Sequence, residues 1–380
     1  MKQVNVYTKQ QLGELNWMAY QNGAEIRTFI ERLMLEDMQK FIANVDCEVG
    51  VIGAGDFLLP FSITHEYKEG NSYVCSPTAQ YIDYGRDELR ITNSSKWAWV
   101  LSAPLEKMLR WVAKKTKFDK VIMVNNYFVS TNLYEAFDVN LVEEITAEMV
   151  KMFPNHLILF RNLNKEFNEA LIQSLSSSHY VPIFSRYIYL ISDTKNSLNS
   201  KHRNTMRRDE KRRRIFGLEW DFSGGDMGKA ETLYGLLYLK RYSAYNPAYT
   251  RDMLEHMKKS ELFTFCALTD NGETKAVLGV LEIGDTLSAP IVGHNTVEEK
   301  EKGLYRAMVT KIYEIATERN KKLHGSAGAG EFKLSRGYKG TVETHYYFAK
   351  HLPAYRTWLW RAIAKLASKY VVPYIEKNKL

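Results

Sequence analysis

Residues 262–340 read LFTFCALTDN GETKAVLGVL EIGDTLSAPI VGHNTVEEKE KGLYRAMVTK IYEIATERNK KLHGSAGAGE FKLSRGYKG, and their order decides the fold. Leu262–Leu268, Lys275–Ile283 and Leu287–His294 are apolar, alternating runs. Asp270-Asn271-Gly272 and Gly284-Asp285 separate them, and such turn pairs between alternating runs predict a three-stranded antiparallel meander. A charged loop, Val297-Glu298-Glu299-Lys300-Glu301-Lys302-Gly303, leads into a helix over Leu304–Arg319. Leu304, Met308, Ile312, Ile315 and Ala316 share one face of it. A short strand at Leu323–Gly325 follows, then a glycine-rich strand-end turn at Gly328-Ala329-Gly330 carrying Glu331, Phe332, Lys333 and Arg336-Gly337, then a strand at Thr341–Phe348. A strand running through a loop into a helix N-terminus turns unpaired backbone N–H groups toward any anion lodged there.

Working outward, the residues before Asp193 also alternate between strand and helix. Gly50–Gly53, Phe57–His65, Lys120–Asn125, His156–Phe160 and Arg186–Ile191 read as strands, and Ser72–Tyr84 alternates with aromatics in a strand-like way. Leu105–Ala113, Leu141–Phe153 (ending at Pro154) and Phe167–Leu175 have helical spacing. Beyond a basic segment, Leu218–Phe222 reads as a strand, and Lys229–Tyr242 and Leu254–Lys259 as helices. The polar run Ser192–Ser197 marks a boundary. The expectation is an α/β (α+β) protein of two lobes, 1–195 and 196–380. Each would hold a mixed, mostly antiparallel sheet flanked by helices, with no sequence repetition between them.

At 380 residues the chain is long for a single core,. It is 45% hydrophobic and 25% charged, with no low-complexity tract, which excludes a disordered chain,. Three cysteines are too few and too scattered for a disulfide framework or a zinc cluster,. No apolar run or small-residue cleavage site follows Met1-Lys2-Gln3-Val4-Asn5, and no window reaches the length of a membrane span. Cytoplasmic residence is the resulting expectation. Eight Lys/Arg against two acids between Lys201 and Arg214 account for most of the net charge of +8,.

Several chemistries are excluded by motif. The glycines at 325, 328 and 330 do not have the spacing of a dinucleotide fingerprint, and no βαβ unit follows them. No phosphate-binding G-x-x-x-x-G-K-[ST], zinc-peptidase H-E-x-x-H or nucleophile-elbow G-x-S-x-G occurs. What remains is the loop at 297–303. Gly303 permits close backbone approach, and Lys300 and Lys302 add positive charge beside the helix dipole, as a pyrophosphate requires. The same residues also fit a solvated loop, since three Glu oppose a dianionic ligand.

The sequence of meander, loop, helix, short strand, then Gly328-Ala329-Gly330-Glu331-Phe332-Lys333 with Arg336-Gly337, resembles the GNAT acyltransferase superfamily, in particular its two-lobed FemAB-like and BioF-like branch. The basic helix Lys201–Arg214 ending at Gly217 matches that branch as well. The resemblance spans roughly 186–348 at motif level and the first lobe in outline.

It implies an N-acyltransferase moving an acyl group to a small amine acceptor: an amino acid, a natural-product precursor or a lipid precursor. The donor would be an acyl-CoA or acyl-carrier-protein thioester, or an aminoacyl-tRNA as in the FemAB enzymes. Neither a covalent nucleophile, a bound cofactor nor a metal is implied. The thioester would be held by Lys300, Lys302, Gly303 and Leu304. His294 and Asn295, at the end of the third meander strand, would face the carbonyl, with His294 a base of ordinary pKa; Tyr305 would donate to the leaving thiolate. Lys240, Tyr242, Asn246, Glu331, Lys333 and Arg336 would border the acceptor, with Asn125, Asn126 and Asn132 as first-lobe candidates. Each of these residues also has a plain packing or capping explanation.

Two basic stretches concern partners. Lys201–Arg214 suits a solvated face, an acidic carrier protein or headgroup, or RNA. The absence of the helical-hairpin insertion often found in FemAB enzymes weakens the tRNA reading. In the C-terminal helix, Arg356, Arg361, Lys365 and Lys369 recur opposite Leu359, Ile363, Leu366 and Tyr370, with Trp358 and Trp360 at its start. Such a helix lies on a membrane or caps the second lobe. A non-catalytic GNAT-like module that binds an acidic partner or membrane is the alternative function.

Overall fold

The same run of six strands occurs twice along the chain, with different helices between them. The computed structural model describes residues 3–91 and 96–378, so Met1 and Lys2 of the N-terminal reading lie outside the described residues. The first half runs β1 (Val4–Tyr7), α1 (Gly23–Leu35), α2 (Met38–Phe41), β2 (Glu48–Ala54), β3 (Phe57–Thr64), α3 (Tyr84–Ile91), α4 (Lys96–Lys115), β4 (Val121–Val124), α5 (Val142–Met152), β5 (Leu157–Leu163), α6 (Lys165–Ser177) and β6 (Val181–Ile191). After α7 (Ser200–Ile215) come β7 (Glu219–Asp221), α8 (Met227–Tyr234), α9 (Arg251–Lys259), β8 (Phe263–Asp270), β9 (Glu273–Ile283), β10 (Thr286–His294), α10 (Glu299–Lys302), α11 (Leu304–Glu318), β11 (Lys322–His324), α12 (Gly330–Leu334) and β12 (Lys339–Phe348). The chain continues through α13 (Ala354–Leu366) and α14 (Val372–Asn378).

In each half an antiparallel run of four strands is followed by a helix and a fifth strand parallel to the fourth, β4 with β5 and β10 with β11. Each half is thus the mixed, mostly antiparallel sheet with flanking helices that the sequence predicts. The two are nevertheless one sheet of twelve strands among the described residues, ordered β1-β2-β3-β4-β5-β12-β6-β11-β10-β9-β8-β7. The sixth strands are exchanged: β12 of the second half lies on β5 of the first, while β6 of the first lies on β11 of the second. Between them β6 and β12 pair antiparallel over most of their length.

Helices cover both faces, and β4 and β5 are buried along their whole length, as central strands covered on both sides must be,. One core cluster joins the halves directly. Phe29 on α1 lies 5.8 Å from the His256 ring and 5.5 Å from the Phe263 ring, and His256 Nε2 bonds the Phe29 carbonyl at 2.7 Å. No helix among the described residues is long and apolar enough to cross a membrane. Cys47, Cys75 and Cys266 are free thiols.

Three local readings are corrected. Ser72–Tyr84 forms no strand: it is a chain of turns leading through a wide helical turn (Ala79–Asp83) into α3. The short polar side chains there capture local groups instead of joining a ladder. The Asp119 carboxylate accepts from Ser76 Oγ at 2.6 Å and from the Thr78 N–H at 3.0 Å. Next, the glycine-rich turn enters a short helix, α12, so Phe332 and Lys333 are helical rather than on a strand end. Finally, Arg356 does not belong to an exposed basic face. It is buried, and its guanidinium donates to the carbonyls of Thr116 (2.9 Å) and Asn155 (3.1 Å), tying α13 to the loops beside β4 and β5.

Gly293 sets how closely α8 approaches β10. A Cβ there would stand 2.6 Å from the Tyr234 nitrogen and 2.9 Å from the Leu233 carbonyl carbon, both backbone atoms. Gly293→Ala should therefore destabilise the fold by about 1–3 kcal/mol. Urea unfolding reads this directly, and an unchanged midpoint would refute the close-approach argument.

Candidate active site

β10 and β11 pair only where Thr286–Ser288 lie beside Lys322–His324. Past that point β10 continues, with a register shift between Ser288 and Ile291, whereas the partner chain turns away at Gly325. The sheet splits there. The residues gathered at the split come from β5, β6, β11, β12, the 325–333 segment and the first-half loop after β4.

Their centre is Glu343 on β12, fully buried and directly opposite Arg186 on β6. Glu343 Oε2 accepts from Arg186 Nε at 2.7 Å, Asn162 Nδ2 at 2.8 Å and Ser185 Oγ at 3.1 Å. Its Oε1 accepts from the second arm of Arg186 at 3.2 Å and lies 3.4 Å from His324 Nε2. Burial alone would raise this carboxyl's pKa; the Arg186 guanidinium and His324 outweigh it and hold the group well below the usual range,. His324 Nδ1 accepts the Ser326 N–H at 3.1 Å, which puts the ring proton on Nε2, facing Glu343,. Arg186 also donates to Thr131 Oγ1 at 2.6 Å and Ser326 Oγ at 3.2 Å. Thr131 is carried by a loop that Asn125, Asn126 and Asn132 hold in place. Asn125 donates to the Leu133 carbonyl (2.6 Å), Asn126 to Ser62 Oγ (2.8 Å), and Asn132 Oδ1 accepts the Tyr127 N–H (3.0 Å).

Lys333 reaches this group from α12. It is 5% exposed, its Nζ donates to the Ala327 carbonyl at 2.8 Å and the Ser326 carbonyl at 3.4 Å, and it stands 5.4 Å from the Tyr189 ring centre. Burial, with Arg186 adding repulsion, lowers its pKa from 10.5 to about 7. Two N–H bonds to carbonyls leave the lone pair of a neutral amine free. Arg161, also buried, has no partner for its Nε. The cluster therefore holds four basic side chains, Arg161, Arg186, His324 and Lys333, against the single carboxylate of Glu343. Beside α12 a cavity of about 480 Å³ opens between Tyr187, Leu334, Tyr338 and the start of β12.

The other sequence candidates divide by what they touch. His294 is buried, with no partner for either ring nitrogen and its Nε2 4.0 Å from Glu299. Its expected ordinary pKa does not hold: burial, and secondarily Arg241, push it down to about 4, so the ring is neutral at pH 7. Tyr305 lies between His294 (6.2 Å) and Phe332 (5.1 Å), and burial pushes its phenol far up. Asn295 caps its own loop, accepting from the Val297 N–H (3.0 Å) and donating to Glu298 (2.6 Å). Lys302 is held by Asp270 (2.6 Å) and Glu298, whereas Lys300 is exposed.

Gly303 takes a positive φ of 69° and Leu304 is buried in the core. The anion position at the α11 N-terminus is filled by the chain itself: Glu299 accepts the Tyr305 N–H at 2.7 Å,. Glu299→Ala should open that position and tighten binding of inorganic pyrophosphate roughly tenfold. Equal affinities of the two proteins by calorimetry would mean Glu299 does not compete.

Around the expected acceptor region, Lys240 and Glu331 are exposed and Tyr242 packs 5.9 Å from Tyr238. Asn246 is buried and committed, accepting from Tyr73 (3.1 Å) and donating to the Ser243 (3.0 Å) and Tyr238 (3.2 Å) carbonyls. Arg336 is likewise spent. It is buried against Asp209 of α7, with Nε 2.8 Å from Oδ2, and stacks on Phe332 at 3.4 Å. On α7, Arg212 and Arg213 bond carbonyls of Glu301 and Leu218, while Lys201, Arg207, Arg208, Lys211 and Arg214 remain exposed.

Of the central cluster, sequence reasoning reached Lys333 alone among the charged groups and missed Arg186, Glu343, His324 and Arg161. The available signal was a charge inside each of several apolar strand runs. Among the described residues no His/Cys/Asp/Glu group has the arrangement to hold a metal ion.

No protein-family model and no curated protein matches this sequence. Solved structures do. A conserved protein of unknown function from Bacteroides thetaiotaomicron is 13% identical with a TM-score of 0.49, over 91% of this chain and 99% of that one. FemX is 10% identical with a TM-score of 0.43, over 58% and 80%. A GCN5-related N-acetyltransferase from Kribbella flavida is 14% identical with a TM-score of 0.33, over 62% and 84%. The matches thus include a GCN5-related N-acetyltransferase, and this chain's own strand order and register show one strand pattern in each half.

Proposed function

We propose that the chain is an N-acyltransferase whose reaction takes place at the seam around Lys333. Lys333 carries this reading: a buried lysine near neutral pKa, with its N–H groups held by two carbonyls, is an amine prepared to accept a proton,. The acceptor nitrogen attacks the donor carbonyl, a C–N bond forms, and the proton leaving nitrogen passes to Lys333. As the C–S or C–O bond to the donor breaks, that proton goes to the departing sulfur or oxygen, and the amine is regenerated. The excess of positive charge from Arg161 and Arg186 lowers the energy of the intermediate oxyanion. Arg186, anchored by Glu343 and Thr131, is a positioning residue for this charge.

The donor has to reach the split without lodging a diphosphate at the α11 N-terminus, where Glu299 sits. That favours an acyl-carrier-protein thioester or an aminoacyl ester of tRNA over acyl-CoA, and the exposed cations of α7 suit either polyanionic carrier. The test is to incubate the pure protein with acyl-CoA, acyl-carrier-protein and aminoacyl-tRNA panels plus mixed amines, and to look for new amides by mass spectrometry. Amide formed from a carrier-bound donor supports the reading. Failure of all three donor classes to be consumed overturns it.

A further inference from the structure

We infer that the outer face of the C-terminal helices, together with that of α4, is a docking surface for an anionic phospholipid bilayer. Both helices pack on one face of the sheet through a shared core. Trp360 sits 4.4 Å from Phe118 and 5.2 Å from Tyr347, and Ala113 of α4 lies in the same buried cluster. With the inner side satisfied, the outer side should be polar. Instead Trp358 is 45% exposed, Leu366 56% and Tyr370 59%, and Trp111 on α4 is 61% exposed. Tyr355 and Tyr374 continue the row, at spacings that keep it on one side of the helices,. An apolar row of this length on a solvated protein marks a surface that something covers.

Charge selects what covers it. Arg361, Lys365, Lys369 and Lys377 are exposed along the same helices, and Lys107, Lys114 and Lys115 along α4. The one acid of α4 between residues 103 and 115, Glu106, is buried and bonded to Arg86 and Arg110 at 2.6 Å each. A second copy of the chain meeting this face about a twofold axis would bring like charges together, which disfavours self-association. Aromatic and leucine side chains interleaved with lysines and arginines are what the headgroup boundary of an anionic bilayer accommodates. This surface is independent of the acyl-transfer reading, because binding is measured without turnover.

Sedimentation of the full chain with vesicles of phosphatidylcholine alone, and of phosphatidylcholine with phosphatidylglycerol, tests it. The expected result is binding to the anionic vesicles only, weakened at least tenfold by R361E/K365E/K369E and by L366S/Y370S, and by high salt. Brominated lipid should quench wild-type tryptophan fluorescence more than that of Trp358→Phe. Thermal melts of the exposed-site variants control for folding. No binding to anionic vesicles would overturn the proposal. So would variants that bind as wild type, or light scattering showing a dimer that L366S/Y370S dissolves.

Discussion

Lys333→Met should abolish acyl transfer, lowering kcat by about 10²–10⁴-fold, the usual contribution of a positioned proton acceptor. Lys333→Arg should be as inactive, because arginine stays protonated and supplies charge without basicity. In the wild type the rate should rise with pH through about 7, where the buried amine loses its proton, and this limb should vanish in both variants. Retained activity in Lys333→Arg would assign Lys333 to charge stabilisation and refute proton transfer. The same shift carries a stability consequence of opposite benefit. The folded pKa is depressed from 10.5 to about 7, so the unfolded chain binds the extra proton between those values and stability rises with pH across that window,. Below about 7 the buried charge weighs fully against folding. Lys333→Met should therefore melt higher than wild type at pH 6, and by a smaller margin at pH 10.

Glu343→Ala should be the most destabilising single change at the seam, by about 2–4 kcal/mol, because it leaves the partly buried Arg186 guanidinium without its carboxylate,. Asn162 and Ser185 lose their acceptor at the same time, and His324 loses the carboxylate 3.4 Å from its Nε2. Urea unfolding measures the loss, and a value under about 1 kcal/mol would mean the pair is structurally dispensable. Replacing both partners, Arg186→Met with Glu343→Leu, should recover much of the stability while leaving the protein inactive. The sign with pH follows from the depressed folded pKa. Glu343's contribution is complete above the unfolded carboxyl value of 4.5 and shrinks as pH falls below it,. That part of the wild-type acid sensitivity should be missing in Glu343→Ala.

Much of the architecture was legible because periodicity reports burial. The meander from Leu262 to His294 and the helix after Gly303 stand where their 2.0 and 3.6 repeats put them, within a few residues,. Pairing between distant strands leaves no such trace. Nothing in Arg186 or Glu343 taken singly announces that they face each other across a separation of 157 residues. The candidates drawn from residue type fared according to what else those types do. Asn246 and Asn295 cap turns, and Arg336 locks α12 onto α7. Lys333 differs because burial without a carboxylate partner leaves it with a depressed pKa, a property of its surroundings rather than of its sequence.

The exchange of β6 and β12 gives the chain the internal geometry of two swapped subunits fused into one polypeptide. A fused pair is released from the identity that binds a symmetric dimer, since each half can change without its twin. The divergence is visible at equivalent loops. After β4 the chain folds inward, with Tyr127, Phe128 and Val129 fully buried, whereas after β10 the corresponding residues 297–301 stay at the surface. In the first half the opening is filled by its own chain, and Thr131 and Arg186 of that half reach Glu343 and Ser326 of the other. The symmetry of strand pairing runs through the sheet and is broken at these two loops.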